Sequence, residues 1–351
     1  MKKTFFTLFF LIVMLCAILP SCDDGTSINK VLGVGAEAPM FISYKAAPGN
    51  EIEFQFSVPV KVIEAYISEG LDIVPFPDEY KATVTLRLKD DHSGGKSITA
   101  DLLVEDADGN SLNLLVPFKT RNNRIPALRL NEVRLDYGKN SSGRYTVEFI
   151  EIFTETAGNL GAMRLFAVST SMDEPIYEFP PAEVGAGEYI TLHMRTVNEE
   201  ESRDELGDKL DLSVTKVSKE GDISDEARDL WVGSKEKYLH KADVIYLVNQ
   251  DDIIIDALVI ADSPASWAKN KTLSAAAEML AKQGAWLSGD GSAVKSPGYT
   301  DAVDSAKTTA TRTLCRDETV ADNDTLSNWY TCDTSNASPG DKNSARRYTA
   351  K

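Results

Sequence analysis

Residues 52–62 alternate between apolar and other side chains, and this alternation constrains the fold more than any other feature of the chain. An apolar residue occupies every second position: Ile52, Phe54, Phe56, Val58, Val60 and Val62. Side chains two residues apart lie on the same face of a β-strand. The segment therefore predicts a strand with one buried face and one face toward solvent.

The same period recurs in three later segments, residues 82–88, 98–104 and 112–118. Turn-forming residues lie between them, at 91–95 and at Asp108-Gly109-Asn110. Short strands separated by turns at this spacing are typical of an antiparallel sandwich of immunoglobulin type. We expect such a domain over residues 31–124.

The amino terminus predicts export and lipid attachment. Lys2 and Lys3 precede an almost unbroken apolar stretch, residues 5–19, which is too short for a comfortable membrane span. The stretch ends in Leu19-Pro20-Ser21-Cys22, which resembles the lipobox of bacterial lipoproteins. The resemblance implies a signal peptide over residues 1–21, lipid on Cys22 and an acidic linker over 22–30. The alternative is a plain secretory peptide with an incidental cysteine.

Asp23 and Asp24 directly follow the predicted anchor. An acidic pair at this place resembles the surface-export signal of some Gram-negative anaerobes, whereas in other lineages an aspartate there retains the lipoprotein in the inner membrane. We expect the cell envelope, lipid-anchored to the outer membrane and exposed at the surface. The chain is then expected to bind the membrane through its amino-terminal lipid.

The charge balance argues against a nucleic-acid partner. The chain has 54 acidic and 37 basic residues and a net charge of −17. Such a balance repels phosphate backbones unless a local basic patch opposes it. Arg346-Arg347 is too small a patch for that role.

Two cysteines lie far from the amino terminus, Cys315 and Cys332. In an oxidising envelope an isolated pair usually forms a disulfide, which would stabilise the fold by about 3 kcal/mol. The alternative, a reactive thiol, lacks a Cys-x-x-Cys spacing or a nearby histidine. We therefore predict a disulfide.

Six short motifs follow one another in the second half of the chain, at residues 131–133, 148–152, 158–165, 184–190, 242–257 and 311–343. They include Asn131-Glu132-Val133 and the closing Pro339-Gly340-Asp341-Lys342-Asn343. In this order they resemble the motifs of the lamin-tail family. The resemblance implies a second immunoglobulin-like sandwich over 127–351 and a role in attachment. One departure is Ala162, where the family usually has tryptophan.

Two insertions lengthen this second domain, near 197–237 and 264–306. The first is acidic, which is typical of a solvated segment. The second predicts a helix over 275–283, capped by Ser274 and ended by Gly284. Its apolar face, with Leu273, Ala277, Leu280 and Ala281, is expected to pack on the sandwich. The predicted fold class is all-β, two immunoglobulin-like sandwiches in tandem, the second with a short helical insertion.

Two sets of residues are candidates for ligand contacts. Asp317, Asp322 and Asp324 supply oxygen atoms near the cysteine pair, and exposed loops of this kind bind Ca²⁺ weakly. Trp267 and Trp286 could stack a sugar ring if they are exposed together, whereas burial would make them anchors of the inserted helix. No other cofactor is predicted.

The chain contains no catalytic motif. Its three histidines, including His193 at an expected outward position of a strand, lie in no nucleophile or zinc pattern. We therefore expect a non-enzymatic surface lipoprotein that serves in adhesion, scaffolding or binding of a protein or glycan. The alternatives are an envelope hydrolase and a calcium-stabilised accessory protein of a polysaccharide- or phosphoester-degrading system.

Overall fold

The computed structural model describes residues 38–47, 50–90, 94–197, 204–207, 223–224 and 226–350. The predicted signal peptide, Cys22, the linker and most of the acidic insertion lie outside these residues. The chain divides into two compact units. The first comprises the chain to Asp90 and Ile98–Phe118, and the second comprises Asp91–Ser97 and Lys119–Lys351. Residues 119–124 thus belong to the second unit.

The first unit is built on one five-stranded sheet in the order β1-β2-β4-β5, with β3 also paired to β2. Its strands are β1 (Phe41–Ala47), β2 (Glu51–Ile67), β3 (Lys81–Arg87), β4 (Ser97–Asp106) and β5 (Ser111–Lys119). A single 3-10 turn, Ser68–Gly70, follows β2. The four strands that the alternation predicted are confirmed as β2 to β5.

The long strand β2 belongs to two ladders. Its first half pairs with β1 on one side and β3 on the other, and its second half pairs with β4. The register shifts between Gln55 and Val60, and again between Val62 and Glu64. Such irregularities bend a strand and increase its twist, so that β2 changes partners along its length.

The core of the first unit is formed by the alternating apolar side chains. Phe54, Leu86 and Leu102 are fully buried, and Phe56 and Phe118 are nearly so. Phe54 and Phe118 meet edge to face with their ring centroids 6.4 Å apart. The intervening residues of β2 to β5 are largely exposed or half-buried, as a one-sided sheet requires.

Among the residues that the structure describes, the second unit contains fifteen further strands and two helices. The strands to residue 193 are β6 (Leu128–Arg134), β7 (Gly138–Lys139), β8 (Tyr145–Thr146), β9 (Phe149–Thr154), β10 (Gly158–Asn159), β11 (Arg164–Ala167), β12 (Tyr177–Glu178), β13 (Glu183–Val184) and β14 (Tyr189–His193). The later strands are β15 (Arg228–Trp231), β16 (Asp243–Val248), β17 (Ile254–Ala261), β18 (Val303–Asp304), β19 (Leu314–Arg316) and β20 (Trp329–Thr331).

Two sheets make up most of this unit. One has the order β15-β14-β9-β6-β19-β20, and the other has the order β12-β11-β16-β17-β18. Both contribute to one hydrophobic cluster, in which Leu130, Ile152 and Leu192 of the first sheet accompany Leu165 and Leu258 of the second. The two sheets therefore cover a common core. Two-stranded ladders β7-β8 and β10-β13 complete the β structure of the described residues.

The two helices, α1 (Pro264–Lys269) and α2 (Lys271–Lys282), lie in the second insertion. Helix α2 begins three residues before Ser274, because the Asn270 side chain caps it by accepting from the Thr272 N–H at 3.1 Å. The predicted cap at Ser274 is therefore wrong. Gly284, with φ 74°, follows its end. Two more 3-10 turns are Tyr299–Asp301 and Leu326–Asn328.

The apolar face of α2 is buried as predicted: Leu273, Ala277 and Leu280 belong to the core of the second unit, and Ala281 is half-buried. Neither helix is long and apolar enough to cross a membrane, among the residues that the structure describes. The fold class is all-β, with this short helical insertion.

Candidate functional site

Two buried carboxyl groups face each other in the centre of the second unit. Glu132 on β6 pairs directly with Glu151 on β9, and both side chains are fully buried. Each is the acidic residue of its strand: Leu-Arg-Leu-Asn-Glu-Val-Arg, half of whose other residues are apolar, and Phe-Ile-Glu-Ile-Phe-Thr, whose other residues are largely apolar. Carboxyl groups this deep need several hydrogen-bond partners.

These partners come from the end of the chain, a segment we call the closing segment (residues 332–343). Glu132 accepts hydrogen bonds from the Ser338 N–H at 3.0 Å and from the Ser338 hydroxyl at 3.3 Å. Glu151 accepts from the Gly340 N–H and, at 2.8 Å, from the Asn131 amide. The buried acids thus hold the closing segment against β6 and β9.

The Asn343 amide completes this attachment by donating to the carbonyl oxygens of Asn131 and Arg316, each at 3.0 Å. Burial raises the pKa of Glu132 to about 7. Burial and the facing Glu132 charge raise the pKa of Glu151 well above its usual range. Two of the predicted motifs, at 131–133 and 339–343, therefore meet in one hydrogen-bonded cluster.

The two predicted disulfide partners lie beside Glu132. Cys315 on β19 and Cys332, directly after β20, are free thiols in this structure and both are fully buried. The Thr313 hydroxyl donates to Glu132 and lies 3.1 Å from the Cys332 sulfur and 3.5 Å from the Cys315 sulfur. We call Glu132, Thr313, Cys315 and Cys332 the acid-thiol cluster. The disulfide stays a prediction.

The two thiols affect each other. A hydrogen bond with Cys315 lowers the pKa of Cys332 to about 6, and the same bond together with burial raises the pKa of Cys315. The nearby Arg134 guanidinium also lowers the pKa of Cys332. The Cys332 sulfur consequently has more thiolate character than an isolated cysteine.

A second acidic group forms around Arg316, where ligand oxygens of Asp256, Asp322 and Asp324 lie within 4.8 Å of one another. The calcium prediction is therefore corrected: Asp322 and Asp324 do come together, but Asp317 instead pairs with Arg347. Asp256, in the strand Ile-Ile-Asp-Ala-Leu-Val-Ile-Ala, takes its place. The sequence reasoning missed it, although a lone acid in so apolar a strand signals a buried partner.

The Arg316 guanidinium already supplies positive charge to this group. It contacts Asp256 at 2.6 Å and Asp322 at 2.5 Å, and it donates to the Leu130 carbonyl at 2.7 Å. It also lies over the Trp329 ring, 4.9 Å from the centroid. Burial raises the pKa of Asp256 to about 6, and Arg316 opposes that rise.

His193 is fully buried, so the predicted outward position is wrong. Its Nε2 atom lies 2.8 Å from Asp229 on the neighbouring strand β15, and its ring stacks on Trp231 at 4.9 Å. Part of the first insertion contacts the strand that carries Asp229 and Trp231, since Asp204 accepts from the Trp231 N–H at 2.7 Å. The expectation of a solvated acidic insertion therefore fails for residues 204–205.

Trp267 and Trp286 do not form a sugar platform. They are only 7% and 1% exposed, and both belong to the core of the second unit. The indole N–H of Trp286 donates to the Asp301 carbonyl at 2.9 Å. The ligand-binding prediction for this pair is therefore corrected: both rings anchor the helical insertion.

Exposed apolar side chains concentrate in the first unit instead. The large ones there are Met40, Phe41, Ile42, Tyr44, Ile63, Tyr66, Val74, Tyr80 and Leu115. Four of them lie on or next to β1, which pairs with β2 alone among the described strands and so presents a free edge. Apolar edge strands are sites at which another chain can add a strand.

A groove of about 250 Å³ also opens in the first unit, between β3 and the segment 74–79. Val74, Phe76 and Arg87 are among the residues that line it. None of the candidate site residues suggested by the sequence lines it.

A family match is located in the second unit. A family model described as "TP_1001_2nd: protein second domain" matches residues 126–331, which is more than half of the chain. The chain belongs to this family. The match within the TP_1001 second-domain family lies entirely within the second unit and ends just before the closing segment.

An uncharacterized protein of Treponema pallidum (strain Nichols) is 28% identical over 204 residues, which are 55% of this chain and 48% of that protein. The chain thus spans about half the length of this curated relative. The crystal structure of a DUF4876 family protein from Bacteroides thetaiotaomicron VPI-5482 aligns with 80% of this chain and 86% of its own, at 12% identity and a TM-score of 0.28.

Proposed function

We propose that this chain is a lipid-anchored envelope protein that binds a partner protein through the free edge of β1, and that it is not an enzyme. The observation that carries the proposal is the exposed apolar surface on and beside β1. Ile42 is 57% exposed and Tyr44 is 44% exposed. β1 also carries a charge, Lys45, and a register shift between Phe41 and Ser43, two features that oppose pairing at an edge, so the exposed apolar side chains are what favours a partner here.

A protein partner suits this edge better than a glycan does. An added strand satisfies the unpaired backbone groups of β1, and its alternate side chains can cover Ile42 or Tyr44. A glycan could stack on Phe41 or Tyr44 but would satisfy the backbone less completely. Glycan capture is therefore an outcome that the test distinguishes.

The buried acids of the second unit support a scaffolding role for that unit. Glu132, Glu151 and Asp256 each accept backbone hydrogen bonds from distant segments. Such groups hold distant chain segments together and so make the unit rigid. A rigid unit suits the attachment role that the lamin-tail resemblance implies. We propose that the six motifs of this unit reflect a relationship to the lamin-tail family.

The anchor is tested by labelling. In a Gram-negative host fed a tagged fatty acid, the wild-type chain should carry label and sediment with membranes, because Cys22 receives the lipid. Cys22→Ser should lose both properties, while the matched variant Cys315→Ser should keep the label. Equal labelling of wild type and Cys22→Ser would refute the anchor.

Partner binding is tested with envelope extract and a glycan array. Ile42→Lys places a charge on the β1 edge and should abolish capture of the partner, whereas Leu115→Lys on β5, at a position that is 69% exposed, should retain it. Capture that both variants retain would refute the proposed surface. Binding on the glycan array, with no protein captured, would show that the ligand is a glycan.

A further inference from the structure

We propose that the acid-thiol cluster is a binding site for Zn²⁺, with Cys315, Cys332 and Glu132 as ligands. One ligand atom from each of these residues lies within 4.8 Å of the other two. Cysteine sulfur and carboxylate oxygen are both ligand types that zinc takes in proteins. The three side chains are fully buried: Glu132 lies on β6, Cys315 on β19, and Cys332 directly after β20.

The strand register explains why a cation fits this place better than a disulfide. Cys315 pairs with Tyr330, and the Cys332 N–H donates to the Thr313 carbonyl, so that Cys332 faces Thr313. The two cysteines are thus diagonal neighbours on one face. Diagonal positions are about 7–8 Å apart at the backbone, beyond the usual Cα separation of a disulfide.

A bridging cation suits this longer separation. Zinc lies about 2.3 Å from each sulfur and about 2.0–2.2 Å from a carboxylate oxygen, so its ligands can stay almost 4 Å apart. The Thr313 hydroxyl contacts all three donor groups and is placed to fill the fourth position.

The surrounding charges agree with a divalent cation. Two thiolates and one carboxylate carry three negative charges, of which Zn²⁺ neutralises two. The Arg134 guanidinium, which acts on both Glu132 and Cys332, opposes the remaining charge. Binding releases the protons of the thiols to solvent.

A bound cation would also hold the closing segment. Cys332 is its first residue, and Ser338 is tied to Glu132. Zinc would therefore link β6, β19 and the closing segment through its own ligands. This inference concerns the second unit and does not depend on partner binding at β1 or on the lipid anchor.

The test uses the full chain with Cys16→Ser and Cys22→Ser, so that Cys315 and Cys332 are the thiols that remain. Protein folded with Zn²⁺ should retain one zinc per chain after dialysis, by elemental analysis. With Co²⁺ in place of zinc it should show a thiolate-to-cobalt absorption band. The band is read on the unaltered cluster, so it does not depend on whether ligand variants fold.

Cys315→Ser, Cys332→Ser and Glu132→Gln should lose the metal, whereas the matched variant Asp243→Asn, another fully buried acid of the unit, should retain it. Mass spectrometry should recover peptides with both cysteines as thiols. Absence of zinc and of the cobalt band would overturn the proposal, and so would a disulfide-linked peptide pair in protein purified without reductant.

Discussion

The Glu151 carboxyl on β9 accepts a hydrogen bond from the backbone N–H of Gly340, 189 positions later in the chain. Glu132, directly opposite Glu151, binds Ser338 in the same closing segment. The closing segment is therefore held by hydrogen bonds to side chains at the centre of the sheet. Its attachment depends on how closely its backbone approaches the rest of the unit.

Gly340 is the position at which this close approach can be tested. It has φ 82°, and a Cβ atom there would meet the Ser224 Cβ at 2.3 Å. Gly187 has the same φ of 82° with nothing within 4 Å of an added Cβ. Gly187→Ala should lower the free energy of unfolding by about 1 kcal/mol, from backbone strain alone. Gly340→Ala should cost about 1–3 kcal/mol more, because the added methyl group overpacks the segment.

Chemical denaturation of the two glycine variants and the wild type gives this comparison directly. Equal losses in Gly340→Ala and Gly187→Ala would mean that the closing segment tolerates the extra atom and is not closely packed.

The buried carboxyl of Asp243 predicts the direction of the pH dependence. Burial raises its pKa to about 7, although the Ser169 hydroxyl and three backbone N–H groups donate to it. In the unfolded chain an aspartate has a pKa of about 3.9. Between these values the folded state holds a proton that the unfolded state has released, so the free energy of unfolding falls as pH rises from about 4 to about 7.

Asp243→Asn cannot titrate and should show a flatter decline over that window in urea denaturation at several pH values. The exposed acid Asp173 provides the control, since Asp173→Asn should leave the pH profile of the wild type unchanged. A decline as steep in Asp243→Asn as in the wild type would assign the pH dependence to other groups.

Arg316 predicts how the acidic group around Asp256 responds to calcium. Because the guanidinium already neutralises Asp256 and Asp322, added Ca²⁺ should leave the Tm of the wild type unchanged. Arg316→Met removes that charge and should cost about 3–5 kcal/mol, since it leaves a buried carboxylate without its partner. In this variant the three acids are free for a cation, and Ca²⁺ should raise the Tm. A wild-type Tm that rises with Ca²⁺ would restore the sequence-based calcium prediction.

The strands of the first unit could be predicted because their pattern is local. Phe54 and Phe56 are buried by the same period of two that the sequence displays. The beginning of α2 could not, because Asn270 and Ser274 are both acceptable caps and the choice between them depends on tertiary packing.

The site was only partly predictable. Glu132 and Gly340 both lie in motifs that resemble the lamin-tail family. The sequence does not indicate which of these residues bond to each other across some 200 positions. Asp256 carried a usable signal, a single acid in an apolar strand, that the calcium prediction did not use. The exposed edge of β1 carried none, because exposure of Ile42 and Tyr44 depends on what the sheet leaves uncovered.

The most direct test of the proposed function is site-specific photo-cross-linking in intact cells. Tyr44 on β1 and Tyr137 in the second unit are both 44% exposed, so the same cross-linking amino acid at either position has equal access to solvent. If β1 binds the partner protein, position 44 should give a discrete adduct that Ile42→Lys abolishes, and position 137 should give none. No adduct at position 44, or the same adduct at both positions, would contradict the account.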